Sequence, residues 1–337
     1  MAEPTDGAAS GTSDTMPLEA VTDLLAVAGQ LRAKSVVIPG GDRDDDLRLV
    51  ESARDHGIVE RCVLIGDAPA IRAAASRVGI DVSDADIIAA DGAEETARRT
   101  VEIVRAGEAD IILKGNISTP ILNRAMRSIA VRKTFSLVTM FDAAPIARGR
   151  PMLLTDPGVT TSCTFERMVH LVENAVEVAQ AIMGIARPRV AILSANEKII
   201  ESLPSTLMGK ALTERHWPSA LVYGPLSFDM AVSAESLRLK DAQFDGVAAE
   251  VAGRADVLVC PGLDSANILY KVIMEIVKYG LGAFAGVTVG VMAPYVILSR
   301  ADNVETKLLS IALSSIASER MRWGIPGGAG DSETSRP

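Results

Sequence analysis

In VILSRADNVETK, residues 296–307, a hydroxyl, a cation and a carboxylate follow an apolar run within four positions. Val296-Ile297-Leu298 reads as the end of a buried strand, and a helix-like run follows. Two readings account for the polar residues. Ser299 with Asp302 fits the S-x-x-D cap of a helix. A cap leaves Arg300 unexplained, and the alternative is a catalytic site at the strand mouth. A second group lies in ILKGNISTPILNRAM, residues 112–126. Lys114 ends a strand, Gly115 permits a sharp path, Asn116 follows, and Ser118 or Thr119 is placed to cap a helix that Pro120 opens. A helix N-terminus beside a lysine suits an anion, and Arg124, about a turn further in, adds a cation. The same pattern also describes an ordinary capped helix with a solvated lysine. In DSANILYKV, residues 264–272, Asn267 and Lys271 lie four apart on one helical face, turned to a polar cleft or to solvent.

Residues of these kinds act only where a scaffold holds them. Apolar runs at 35–40, 62–67, 86–90 and 110–115 read as strands, each followed by a helical pattern at 43–56, 68–79, 93–106 and 118–127. That rhythm predicts βαβ units and a parallel sheet. Two strands in succession, 134–141 and 151–156, break it near a domain crossing. A second series follows: a long helix over 164–183 ending at Gly184, strands at 189–195, 220–224, 255–260 and 285–291, and helices at 205–214, 265–278 and 303–319. The prediction is an α/β protein with two doubly wound domains and a cleft between them. The first comprises 16–145 with about 303–322, and the second 146–302. Residues 1–15 read as a disordered lead-in and 323–337 as a flexible tail. Ligands of open α/β sheets bind beyond the carboxyl ends of strands. Lys114, Asp156, Ser194 with Glu197, Gly224-Pro225 and Ser299-Arg300 all occupy such ends.

The chain has 337 residues, enough for about two cores. A net charge of −9 and 4% aromatic residues argue against nucleic acid and anionic membrane as partners. Any anionic substrate must therefore be held by local cations. Three scattered cysteines suit a reducing cytoplasm, and neither they nor the three histidines have metal-ligand spacing. Tyr279–Ser299 is uncharged over a span's length. Its glycines, Pro294 and the alternating GVTVGV read better as two buried strands joined by a turn. No P-loop, nucleophile elbow or dinucleotide fingerprint occurs.

Taken together, ADIILKGNIST, RPRVAILSANE, YGPLSFDMAVS, GRADVLVCPGLDSANILYK and LSRADNVETKLLSIALS resemble the phosphate acetyl/butyryltransferase family. They occur in the family's order over roughly 105–317, and SRAD…ETK with NILYK is more similar to the butyryl branch. The resemblance implies a fold similar to isocitrate and isopropylmalate dehydrogenases, and usually a homodimer or higher oligomer. It implies the reaction acyl-CoA + phosphate = acyl phosphate + CoA, with coenzyme A as substrate and no permanently bound cofactor. It places Ser299 as transition-state donor and Arg300 as anion binder. With Arg300, Lys114 and Arg124 would hold phosphate, Asn116 and Thr119 would join that binding set, and Asn267 and Lys271 would contact substrate or CoA. The acetyl branch carries a carboxylate seven residues after the serine as thiol base. Here that position is Thr306, leaving Asp302 and Glu305 as the nearby carboxylates, with Asp302 the preferred base unless cations alone lower the thiol pKa. Ala266 replaces a usual glycine, and 134–141 lacks a histidine often found in the butyryl branch. A metal- and NAD-dependent dehydrogenase of the same fold, or a non-catalytic CoA- or phosphate-binding relative, are the rival readings.

Overall fold

The computed structural model describes residues 18–297 and 302–321. Ser299, Arg300, the lead-in 1–15 and the tail 323–337 lie outside the described residues. The strands are β1 Lys34–Pro39, β2 Val59–Gly66, β3 Ile87–Ala89, β4 Ile111–Leu113, β5 Ser136–Phe141 and β6 Met152–Thr155. The remainder are β7 Arg189–Leu193, β8 Leu221–Leu226, β9 Val257–Val259, β10 Phe284–Val289 and β11 Tyr295–Val296. All join one sheet in the order β3-β2-β1-β4-β11-β10-β5-β6-β9-β7-β8. The expected βαβ rhythm is present, with helices Asp44–Asp55, Ala68–Val78, Gly92–Arg105 and Thr119–Met126 after the first four strands. The uncharged stretch after Tyr279 is the antiparallel pair β10–β11, in which Thr288 faces Tyr295. Among the described residues no helix is long and apolar enough to cross a membrane.

Strand direction decides where a site can form. β3, β2, β1, β4 and β11 are mutually parallel. β6, β9, β7 and β8 form a second parallel block. Antiparallel pairings β11–β10, β10–β5 and β5–β6 join them, so the blocks run in opposite senses. Carboxyl ends of the first block open on one edge of the sheet, and those of the second block on the other. The helix Leu263–Lys278 follows β9 from the second edge. At 16 residues it spans about 24 Å, enough to return to the first edge.

The two faces differ as well. On one, a single apolar cluster runs across both blocks and takes in the helices Phe165–Met183 and Val304–Arg320. The latter is buried from Leu308 to Ala317 on all sides, which its small serines and alanines allow. The opposite face carries two separate clusters. One packs the Leu263–Lys278 helix on β5, β6 and β9, and the other packs Thr119–Met126 on β1, β4 and β11.

Candidate active site

At the first edge, the exits of β1, β4 and β11 lie side by side. The Lys114 N–H donates to the Val296 carbonyl at 3.1 Å, so Lys114 flanks the strand leading to Ser299. Gly115 and Asn116 donate to Pro39 and Gly40 at 3.1 and 2.7 Å. A Cβ on Gly115 would stand 2.3 Å from the Gly40 carbonyl oxygen, a contact only glycine avoids. Gly115→Ala is therefore expected to destabilise the fold by about 3 kcal/mol, the upper end for overpacking; denaturant unfolding checks this. Lys114 Nζ donates to the Gly115 carbonyl at 3.1 Å. Beneath this corner Asp46 is buried, and its Oδ2 has no hydrogen-bond partner. Burial holds that carboxyl above the usual range, against the pull of Arg43, Lys307 and Lys114.

The other residues expected in ILKGNIST divide. Ser118 is the N-cap of the Thr119–Met126 helix by backbone conformation, but its hydroxyl makes no cap bond, and Thr119 is the first helical residue. Asn116 donates to Asp42 Oδ2 at 3.1 Å. Arg124 pairs with Glu94 at 3.1 Å, with both side chains mostly exposed. Asn116 and Arg124 thus face acidic partners of the first block.

The capping reading of Asp302 is corrected by the structure. Asn303 is the N-cap, its Oδ1 accepting the Thr306 N–H at 2.7 Å. Asp302 Oδ1 instead accepts the Tyr270 hydroxyl at 3.0 Å. Burial, with Asp302 adding to it, raises the Tyr270 pKa, so the phenol keeps its proton and donates. Tyr270 stands edge-on to Phe284 at 5.0 Å between centroids, and Lys271 Nζ lies 4.6 Å from the Tyr270 ring centre. One turn earlier Asn267 Nδ2 donates to the Pro157 carbonyl at 2.8 Å. Asp302, Lys271 and Asn267 are therefore gathered along one helix. Thr306 is buried, with its backbone N–H and carbonyl both engaged.

The second edge holds Asp156, which the sequence marks only as a polar strand end, and a group of cations that the sequence reading does not single out. Asp156 ends β6 and is buried. Its Oδ1 accepts the N–H groups of Leu137, Gly158 and Val159 at 3.3, 3.0 and 3.0 Å, and its Oδ2 that of Thr160 at 2.9 Å. One carboxylate thereby shapes the loop 157–160. Burial still holds its carboxyl above the usual range. Cavities flank this loop. One of about 460 Å³ is lined by Pro157, Gly158, Asp264, Asn267 and Ile268. The other, about 540 Å³, is lined by Arg127, Arg132, Lys133, Arg167, Thr160 and Thr161. In it Arg132 pairs with Glu177 and Lys133 with Glu166, while Arg127 has no ion-pair partner among the described residues. A local signal existed: Arg124, Arg127, Arg132 and Lys133 place four cations within ten residues of an acidic chain. His170 Nδ1 lies 3.1 Å from Thr134 Oγ1, bringing an imidazole to the head of the segment that lacks its own histidine.

No cysteine is poised as a nucleophile. Burial pushes the thiols of Cys62 and Cys260 up to about 12. Cys163 is raised by burial and by Asp156. Among the described residues no cluster of His, Cys, Asp and Glu is arranged to hold a metal ion.

The family described as "Phosphate acetyl/butaryl transferase" matches residues 93–315. A phosphate butyryltransferase of Clostridium acetobutylicum is 34% identical over 84% of this chain and 93% of its own. A phosphate acetyltransferase of Thermotoga maritima is 34% identical over 66% of this chain and 75% of its own. Among solved structures, a branched-chain phosphotransacylase of Enterococcus faecalis superposes with a TM-score of 0.70 at 29% identity, covering 85% of this chain and 99% of that one. The chain belongs to the phosphate acetyl/butyryl transferase family and is an acyltransferase of that type.

Proposed function

We propose that this protein moves a short acyl group between coenzyme A and inorganic phosphate by direct thiol attack in a ternary complex. The observation that supports it most is the four-cation cavity beside the Asp156 loop, a cationic site in a chain of net charge −9. Coenzyme A carries phosphate groups, which Arg127 and Arg167 are suited to hold, while Arg132 and Lys133, paired with Glu177 and Glu166, add cations to the same wall. Lys114, at the first edge, takes the transferred phosphate, and Arg300, which lies outside the described residues, is assigned to the same anion. Asn267 and Lys271 line the helix between. Direct transfer needs no enzyme thiol, which fits the burial that raises the pKa values of Cys163 and Cys260 and disfavours a cysteine-linked acyl-enzyme.

The CoA thiol must lose its proton as it attacks. Asp302 is the carboxylate we assign to accept it, held in place by Tyr270. Ser299 donates to the carbonyl oxygen as charge builds there. Unpaired cysteines fit a reducing cytoplasm. A second copy of the chain would cover Ile268, Val272 and Tyr279, which are 66%, 52% and 82% exposed along one side of the Leu263–Lys278 helix.

Arg127→Ala tests the cavity. Loss of one charged contact is expected to raise KM for acyl-CoA about 10-fold or more, with a smaller change in KM for phosphate. The reverse pattern would make the cavity a site for inorganic phosphate. No change in either would remove it from the reaction.

A further inference from the structure

Four more arginines meet in a separate cavity of about 470 Å³, lined by Arg148, Arg150, Arg189 and Arg254 with Ser233 and Glu235. It lies at the amino ends of β6, β7 and β9. Strand β6 separates it from Asp156, and at four residues it is about 13 Å long. Three strand spacings, roughly 14 Å, separate β6 from β11 and the residues leading to Ser299.

The four side chains form two tiers. Arg150 and Arg189 are anchored below. Buried Asp256 accepts Arg150 NH1 at 2.8 Å and is gripped by Arg189 through Nε and NH2, both at 2.8 Å. Arg150 NH2 also donates to the Ala255 carbonyl at 2.6 Å. One carboxylate therefore serves two guanidinium groups. Burial, with repulsion from Arg189 adding to it, pulls the Arg150 pKa down despite Asp256. Arg148 and Arg254 form the upper tier. Both are exposed, and neither has a side-chain hydrogen bond or an ion pair among the described residues. Arg148 is carried on a strained turn, with Ala147 at φ 47° and Arg148 at φ 60°, both left-handed without being glycine. Such strain persists where surrounding structure or function requires it. Four guanidinium groups thus face Asp256 and Glu235, leaving an excess of positive charge on a chain of net charge −9.

We propose that this cavity is a second anion site, outside the acyl-transfer cleft, that takes a small phosphate-bearing molecule between its fixed and free arginines. Guanidinium forks match phosphate oxygens in pairs. A diphosphate offers two phosphate groups to the four guanidinium groups and a single phosphate only one, so pyrophosphate should bind at least 10-fold more tightly than inorganic phosphate.

The test is calorimetric titration of the intact protein with pyrophosphate, inorganic phosphate and ADP as separate arms. Wild type is compared with Arg148→Ala/Arg254→Ala and with Arg127→Ala. Both upper-tier side chains are exposed and unpaired, so the double variant should keep its fold, which circular dichroism verifies. The expected result is two pyrophosphate sites in wild type. Arg148→Ala/Arg254→Ala should weaken one at least 10-fold, and Arg127→Ala should leave that one unchanged. If ADP matches pyrophosphate, the ligand is a nucleotide-type diphosphate ester; if it fails while pyrophosphate binds, the ligand is a free diphosphate. A single site lost only in Arg127→Ala, or binding unchanged in the double variant, would overturn the proposal. Either result leaves the acyl-transfer assignment standing, because thiol release tests that independently.

Discussion

Replacing Ser299 by alanine is expected to lower the rate of acyl transfer by about 10²–10³ without unfolding the protein, the loss typical of one oxyanion donor. The carbonyl oxygen gains negative charge only as the thiol attacks, so a donor aimed there acts on the transition state and not on substrate binding. The fall should therefore appear in kcat, with KM for acyl-CoA nearly constant. Lys114 stands beside β11 through its N–H bond to Val296, which puts a cation next to the strand that ends three residues before Ser299 in sequence. Steady-state kinetics with circular dichroism check this, and an unchanged kcat would remove Ser299 from the mechanism.

Asp156→Ala is the second large effect. It strips four backbone N–H groups of one buried acceptor. Each orphaned donor costs about 1–3 kcal/mol unless water replaces the oxygen, so a total loss of at least about 3 kcal/mol is expected. The loop it shapes presents the Pro157 carbonyl to Asn267 and puts Thr160 and Thr161 into the cationic cavity. KM for acyl-CoA should rise together with the loss of stability. Asp156→Asn keeps the shape and one acceptor oxygen, and should fall between the two. Urea unfolding gives the first quantity and initial rates give the second. A stable Asp156→Ala protein with normal KM would mean that the loop is ordered by other contacts.

Much of this architecture was legible because periodicity and punctuation agreed. The long helix ending at Gly184 runs Phe165–Met183, with that glycine left-handed at φ 67°. The GVTVGV alternation and Pro294 marked a strand pair where hydropathy alone suggested a span. Asn267 and Lys271 share the helix face that spacing implied. Strand direction was not legible, because alternation of elements does not reveal that β10 and β5 reverse the sheet. Lys114 and Asp156 therefore read as one set of strand ends, although they lie on opposite edges of the sheet. The S-x-x-D pattern misplaced the cap because Asn303, one residue on, does that work and frees Asp302 for Tyr270. Asp156 was noticed only as a polar strand end. Its importance lies in donors up to 19 residues away in sequence, which no local pattern reports. Arg132 and Lys133 escaped notice because four cations spread over ten residues do not form a run.

The most direct measurement is phosphate-dependent release of free thiol from acetyl-, propionyl- and butyryl-CoA by the purified protein, followed with a disulfide dye. Release that saturates with phosphate and stops without it is the predicted result, and the order of rates ranks the acyl chains. A folded protein that binds CoA but releases no thiol from any of them would contradict acyl transfer and leave a CoA-binding protein without turnover.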